Sequence, residues 1–230
     1  MINLIFDFDG TLYDSSEGIY AAYAISCNAT HCPKVTKASF ASKIGPPIKI
    51  IAKELHPEIT DTQLNQFVSV FRNQYDSKFY LKAKPYKGVP KLLQYLKESR
   101  SISTISIVTN KPTLPAKRLL EKYSCFKYFD KVIGIDYLAH QQIGQIFSSK
   151  SEAILFLKSI LPDNNLDYVY VGDTFTDYSS SVNSGCKFLP VGYGYFDWQP
   201  HHDLFPSVVS SADELLQALQ VFMDGCCVGD

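Results

Sequence analysis

Short, nearly unbroken apolar runs recur along this chain, and each is followed by a stretch with helical spacing. The first is Ile2–Phe8, with Ile2, Leu4, Ile5, Phe6 and Phe8 as its apolar members. A run this short and continuous is expected of a strand covered on both faces of a parallel sheet. Ser103–Thr109, Lys131–Ile135 and Asp167–Val171 share the pattern. Lys187–Val191 is weaker, because Pro190 cannot donate to a ladder and confines the run to a sheet edge or a strand end.

Helical stripes separate these runs. Val89, Leu92, Leu93 and Leu96 precede Ser103; Leu114, Leu119 and Leu120 precede Lys131; Ala153, Ile154, Leu157 and Ile160 precede Asp167. Ser211 and Glu214 form a capping box before Leu215, Leu216, Leu219 and Phe222. Regular strand–helix alternation implies an α/β fold, a Rossmann-like, doubly wound and mostly parallel sheet. From Asp14 to Leu81 the alternation stops and only helical patterns remain. Asp14 with Glu17 is expected to cap the first of these helices. Thr60 with Gln63 is expected to cap the one that carries Leu64, Phe67, Val68, Phe71, Tyr75 and Phe79. This stretch reads as a small inserted helical domain.

Composition narrows the function classes. Twenty-two Lys+Arg against 23 Asp+Glu give a formal charge of -1, so no basic field draws in nucleic acid or an anionic membrane. No apolar run reaches the roughly 18–20 residues of a membrane span, and MINLIFDFDG lacks the basic start of a signal peptide. The six cysteines, Cys27, Cys32, Cys125, Cys186, Cys226 and Cys227, contain no CxxC pair and read as free thiols in a reducing compartment. A cytoplasmic protein is expected.

The chemistry-bearing residues fall at the ends of the apolar runs. In Asp7-Phe8-Asp9-Gly10-Thr11, two carboxylates two residues apart converge at the carboxyl end of a strand, where open α/β sheets bind ligands. Two such groups repel unless a cation or a shared proton relieves them. A plain turn would use the same residue types. Gly172-Asp173-Thr174-Phe175-Thr176-Asp177 places a second acidic pair at another strand tip; capping accounts for one of its carboxylates but not for four at two tips. Thr109 and Asn110 end a third run, with Lys111 and Pro112 after them. Lys150 starts a helix and, taken alone, reads as solvated surface.

Taken in order, Asp-x-Asp-x-Thr, Thr109, Lys150 and Gly-Asp-x-x-x-Asp resemble the four motifs of the haloacid dehalogenase superfamily. The resemblance runs through nearly the whole chain, including a helical cap inserted after the first motif. VTNKP (108–112), IGPP (44–47), VGDTFTD and VGYGY (191–195) look most like the phosphoglycolate phosphatase group. The resemblance implies a core of residues 1–14 and 83–230, a cap of residues 15–82, and phosphatase activity on a small phosphorylated metabolite.

It also implies roles. Asp7 is the nucleophile that forms an aspartyl-phosphate, and Asp9 is the acid and then the base. Thr109 and the Asn110 backbone bind phosphoryl oxygens, and Lys150 neutralises charge. Mg2+ suits an all-oxygen site and would take Asp7, Asp9 through its backbone carbonyl, and Asp173, with Asp177 on a metal-bound water or orienting the other ligands. Lys43, Lys49 and Lys111 are the candidates for substrate recognition, the first two flanking the 44–47 loop. A monomer or homodimer is expected. The alternative enzyme is a phosphosugar mutase of the β-phosphoglucomutase type. That enzyme carries an arginine in this loop where Ile48 stands here, which counts against it. A receiver domain is half this length and lacks the insert, and a dinucleotide-binding oxidoreductase would need a GxGxxG after the first strand.

Overall fold

The structure, a computed structural model, describes residues 1–162 and 166–225; Cys226 and Cys227 lie outside the described residues. The chain opens with β1 (Ile2–Phe6), all five of whose residues are buried, and soon adds a two-residue strand, β2 (Tyr13–Asp14). Four helices follow: α1 (Ser16–Thr30), α2 (Lys37–Ala41), α3 (Ile48–Leu55) and α4 (Asp61–Ser77). A 3₁₀ turn at Phe79–Lys82 then leads into β3 (Lys84–Pro85), which pairs antiparallel with β2, Tyr13 opposite Pro85. The chain thus leaves and re-enters the sheet region through one short ribbon, too short to show as a periodic pattern in the sequence.

The rest alternates as the apolar runs require: α5 (Val89–Glu98), β4 (Ile102–Thr109), α6 (Thr113–Lys122), β5 (Lys131–Gly134), α7 (Tyr137–His140), α8 (Lys150–Ile160), β6 (Asp167–Gly172), α9 (Phe175–Asn183), β7 (Lys187–Pro190) and α10 (Ala212–Gly225). The main sheet has the order β5-β4-β1-β6-β7, every neighbouring pair parallel, with the proline-ended β7 at an edge. Successive side chains on a strand point to opposite faces, and the core divides accordingly. Leu4, Phe6, Ile105, Ile107, Val169 and Val171 pack on one side with α5, α6 and α10. Ile5, Val108, Ile133 and Tyr170 pack on the other with Ala153, Ile154 and Leu157 of α8. This is the doubly wound, mostly parallel α/β sheet expected from the alternation.

Register positions the site. Phe6 lies opposite both Ile107 and Val171, and the Asp7 amide donates to the Val171 carbonyl at 2.9 Å. Asp7, Thr109 and Asp173 therefore emerge on the same sheet edge. Above that edge α1 and α4 pack along each other around Tyr23, Phe40 and Phe67, whose rings meet within 6 Å. Thr60 and Gln63 form the expected capping box at α4, each side chain bonding the other's backbone N–H at 3.2 Å. The start of α1 differs from expectation. Its N-cap is Ser15, whose side chain turns to Asp9 and caps nothing. Asp14 accepts from the Ser16 amide at 3.0 Å, while Glu17 pairs with Lys82 at 2.6 Å. No helix among the described residues is long and apolar enough to cross a membrane.

Candidate active site

Asp7, Asp173 and Asp177 are all buried, and a carboxylate oxygen from each lies within 4.8 Å of the others. The backbone makes this approach feasible at Gly10, whose φ is +88° and where a Cβ would stand 2.1 Å from Asp173 Oδ2. Gly172 is equally constrained, since a Cβ there would meet Asp177 Cβ at 2.5 Å. Asp177 also closes a capping box with Thr174 at the start of α9, so capping and clustering use one side chain. Thr11 Oγ1 and the Tyr195 amide donate to Asp173 at 3.3 and 2.9 Å, and the Tyr170 hydroxyl donates to Asp177 at 3.3 Å.

Lys150, buried at the first position of α8, is the ammonium among these acids. Its Nζ stands 3.1 Å from Asp7 Oδ2 and 2.5 Å from Asp177 Oδ1. Burial alone would lower its pKa, but Asp177 and Asp7 outweigh that and lift it above its ordinary value. Three carboxylates against one ammonium leave negative charge in excess. Burial, with Asp177 adding to it and Lys150 opposing, pushes the Asp7 carboxyl up to about 6. Burial and then repulsion from Asp177 and Asp7 hold Asp173 well above the carboxylate range. Asp7 Oδ1 is buried with no hydrogen-bond partner. An orphaned carboxylate oxygen and an all-oxygen donor set with unmatched charge fit a hard divalent cation.

Asp9 stands apart from this cluster. Lys111 Nζ donates to its Oδ1 at 2.9 Å and Oδ2 at 3.3 Å, and Ser15 Oγ donates to Oδ1. Lys111 is itself buried between the Phe8 and Tyr75 rings and bonds the Tyr75 hydroxyl. Burial pushes that phenol up to about 12. Burial opposes the charge on Lys111, and Asp9 and Tyr75 restore it, so its pKa lies above the ordinary lysine value. Thr109 is buried at the end of β4 and accepts from the Lys111 amide, and the Asn110 side chain donates to the Gly45 carbonyl at 3.1 Å.

A cleft open to solvent lies between this edge and the helices, reaching from Asp7, Asp9, Thr109, Asn110 and Lys111 to the 44–47 loop and α4. The two lysines that flank this loop do not line the cleft. Lys43 is paired with Glu54, and Lys49 is exposed. Tyr75 and Arg72 do line it, and the sequence did not single them out. Tyr75 reads as one more apolar member of a helical stripe, since periodicity does not register a hydroxyl. Arg72 lies one position past the stripe, where charged residues are ordinary.

Residues 4–191 match the haloacid dehalogenase-like hydrolases, a span covering most of the chain. The chain belongs to this family. Similar over nearly its full length is the "Probable phosphatase IndB" of Dickeya dadantii, 29% identical, with 93% of this chain and 94% of that one covered. A phosphoglycolate phosphatase of Vibrio vulnificus is 26% identical over 96% of this chain and 95% of its own. Among solved structures, a "predicted phosphatase" from Clostridium acetobutylicum superposes with a TM-score of 0.81 at 25% identity, covering 95% of this chain and 98% of that one. The hydrolase thus belongs to a family in which these similar proteins are named as phosphatases.

Proposed function

We propose that this hydrolase is a magnesium-dependent phosphatase that cleaves a small, phosphoglycolate-like phosphate monoester through an aspartyl-phosphate on Asp7. The observation that carries the proposal is the buried cluster of Asp7, Asp173 and Asp177 around Lys150, with Asp9 held separately by its own lysine. Similarity to the Vibrio vulnificus phosphoglycolate phosphatase supports the substrate class. In this proposal residues 1–14 and 83–230 are the catalytic core and residues 15–82 a cap.

Asp7, Asp173 and the backbone carbonyl of Asp9 would hold Mg2+, with Asp177 orienting them. The cation supplies positive charge against the phosphoryl oxygens and the surrounding carboxylates. An Asp7 carboxylate oxygen attacks phosphorus as the bond to the leaving oxygen breaks, and that oxygen receives a proton from Asp9. Asp9, then a carboxylate held by Lys111 and Ser15, takes a proton from a water whose oxygen attacks phosphorus. The bond to Asp7 breaks and inorganic phosphate departs. The Thr109 hydroxyl and the Asn110 backbone N–H would bind phosphoryl oxygens, and Lys150 would offset the charge that nucleophile and substrate bring together. The mutase alternative gains no support: Ile48, where an arginine would be needed, is buried on the cleft wall.

The test is phosphate release from a panel of metabolite monoesters, with magnesium or with chelator, comparing wild type and Asp7→Asn. Expected is turnover that requires magnesium and falls by at least about 10³-fold in the variant. Turnover that survives the substitution overturns the nucleophile assignment, and a folded wild type that releases no phosphate overturns the phosphatase reading.

A further inference from the structure

Arg72 lines the cleft, and among the described residues no carboxylate pairs with it, although Asp76, one turn on along α4, lies close enough to feel its charge. Arg72 lies on α4 three residues before Tyr75, so the two side chains share a helix face about one turn apart. Tyr75 reaches Lys111, and Lys111 reaches Asp9. Arg72 therefore stands about one helical turn from Tyr75 and lines the same cleft as Asp9. The wall around it is apolar: Ile19, Ile44, Ile48, Ile51 and Phe71.

The other lysines near this site are engaged. Lys150 is shared by Asp7 and Asp177, Lys111 by Asp9 and Tyr75, and Lys43 by Glu54. Among the described residues Arg72 has no ion pair and no hydrogen-bond partner. Its guanidinium carbon lies 6.0 Å from the Phe71 ring, and its charge acts on the Asp76 carboxylate without bonding it. A half-buried guanidinium stays charged and presents five donors in a planar fork that matches an oxyanion in two hydrogen bonds.

We propose that Arg72 is the specificity-determining residue of the site, its guanidinium receiving a second oxyanion on the leaving-group side of the substrate. This inference rests on the phosphatase reading. A carboxylate and a second phosphate both satisfy the fork. The apolar wall strengthens the pair by excluding water. It also penalises a neutral leaving group, which would leave the arginine covered and unpaired.

The experiment compares wild type, Arg72→Gln and Arg72→Lys on 2-phosphoglycolate, ethylene glycol bisphosphate and ethyl phosphate, with magnesium, after thermal denaturation has shown that each variant is folded. Expected is a fall of about 10- to 100-fold in kcat/KM for Arg72→Gln on one or both substrates that carry a second oxyanion, carried mainly by KM, with ethyl phosphate changed less than about threefold. Arg72→Lys should recover part of the loss, since it keeps the charge without the fork. A loss on only one of these two substrates identifies the oxyanion as carboxylate or phosphate, and a loss on both shows that the fork accepts either. Equal losses on all three substrates, or no loss on any, overturn the inference while leaving the phosphatase reading intact. A wild type that hydrolyses none of them overturns both. Should Arg72→Gln fail to fold, a wild type that shows no preference for the two substrates with a second oxyanion over ethyl phosphate overturns the inference, and a preference reduced in Arg72→Lys supports it.

Discussion

Lys150, which offsets charge in the proposed reaction, also bears on stability. Its ammonium is buried between Asp7 and Asp177, and each partner would otherwise be a buried carboxylate without a counter-charge. Removing one member of a buried ion pair leaves uncompensated charge, at a cost of about 3–5 kcal/mol. Lys150→Met should therefore lower the urea midpoint of chelator-treated protein by an amount equivalent to about that energy. It should also make the midpoint more responsive to magnesium than in wild type, because the cation then becomes the main relief for three carboxylates. Equal magnesium responses in the two proteins would show that Lys150 does not set the charge balance. This residue was legible only in part. Its place at a helix start was visible, but a lone lysine there resembles solvated surface, and only register and packing reveal that it points inward.

At the scale of the element, the helices between β2 and β3 depend on a polar group inside an aromatic cluster. His56, at the end of α3, is buried against the Tyr23 and Phe67 rings, and its Nε2 lies 3.3 Å from the Tyr23 hydroxyl. Its Nδ1 has no partner, and burial holds its pKa below the usual 6.5. A histidine with a lowered folded pKa contributes stability that is fully present above its unfolded value. That stability is lost as pH falls below 6.5, because the unfolded chain takes up the proton first. The stability difference between wild type and His56→Phe, from urea unfolding at pH 7.5 and 5.5, should shift toward the variant at the lower pH. A difference independent of pH would contradict the neutral buried ring. The same elements show what local pattern can carry. The Thr60–Gln63 box involves neighbours in sequence and reads directly. The Asp14–Glu17 pairing does not form because both groups find other partners, Ser16 nearby and Lys82 far along the chain.

For the whole molecule, stability and metal occupancy should be linked through pH. Asp7 and Asp173 hold protons above the ordinary 3.8, so the metal-free fold keeps protons that the unfolded chain has released. The sign follows: this cluster makes the metal-free fold less stable as pH rises from about 4 through about 6. A bound cation favours the ionised form and releases those protons. The magnesium-induced rise in Tm should consequently be larger at pH 7 than at pH 4.5, and Asp173→Asn should abolish most of it. A rise of equal size at both pH values would mean that magnesium binds elsewhere.

The alternation of short apolar runs with helical stripes determined, without any structure, the parallel sheet, the confinement of the β7 run to a sheet edge or a strand end, and the strand tips where Asp7, Thr109 and Asp173 stand. Those are local properties: side-chain period, hydrophobicity and the missing N–H of Pro190 act within a few residues. What only the tertiary structure decided is which distant groups meet. Burial of Lys150 between two acids, capture of Asp9 by a Lys111 that also bonds Tyr75, Lys43 paired with Glu54 outside the cleft, and Arg72 lining the cleft all depend on contacts between separate elements. Charge, hydroxyl and guanidinium leave no periodic trace, and their partners are set by how helices pack over a sheet edge rather than by spacing along the chain.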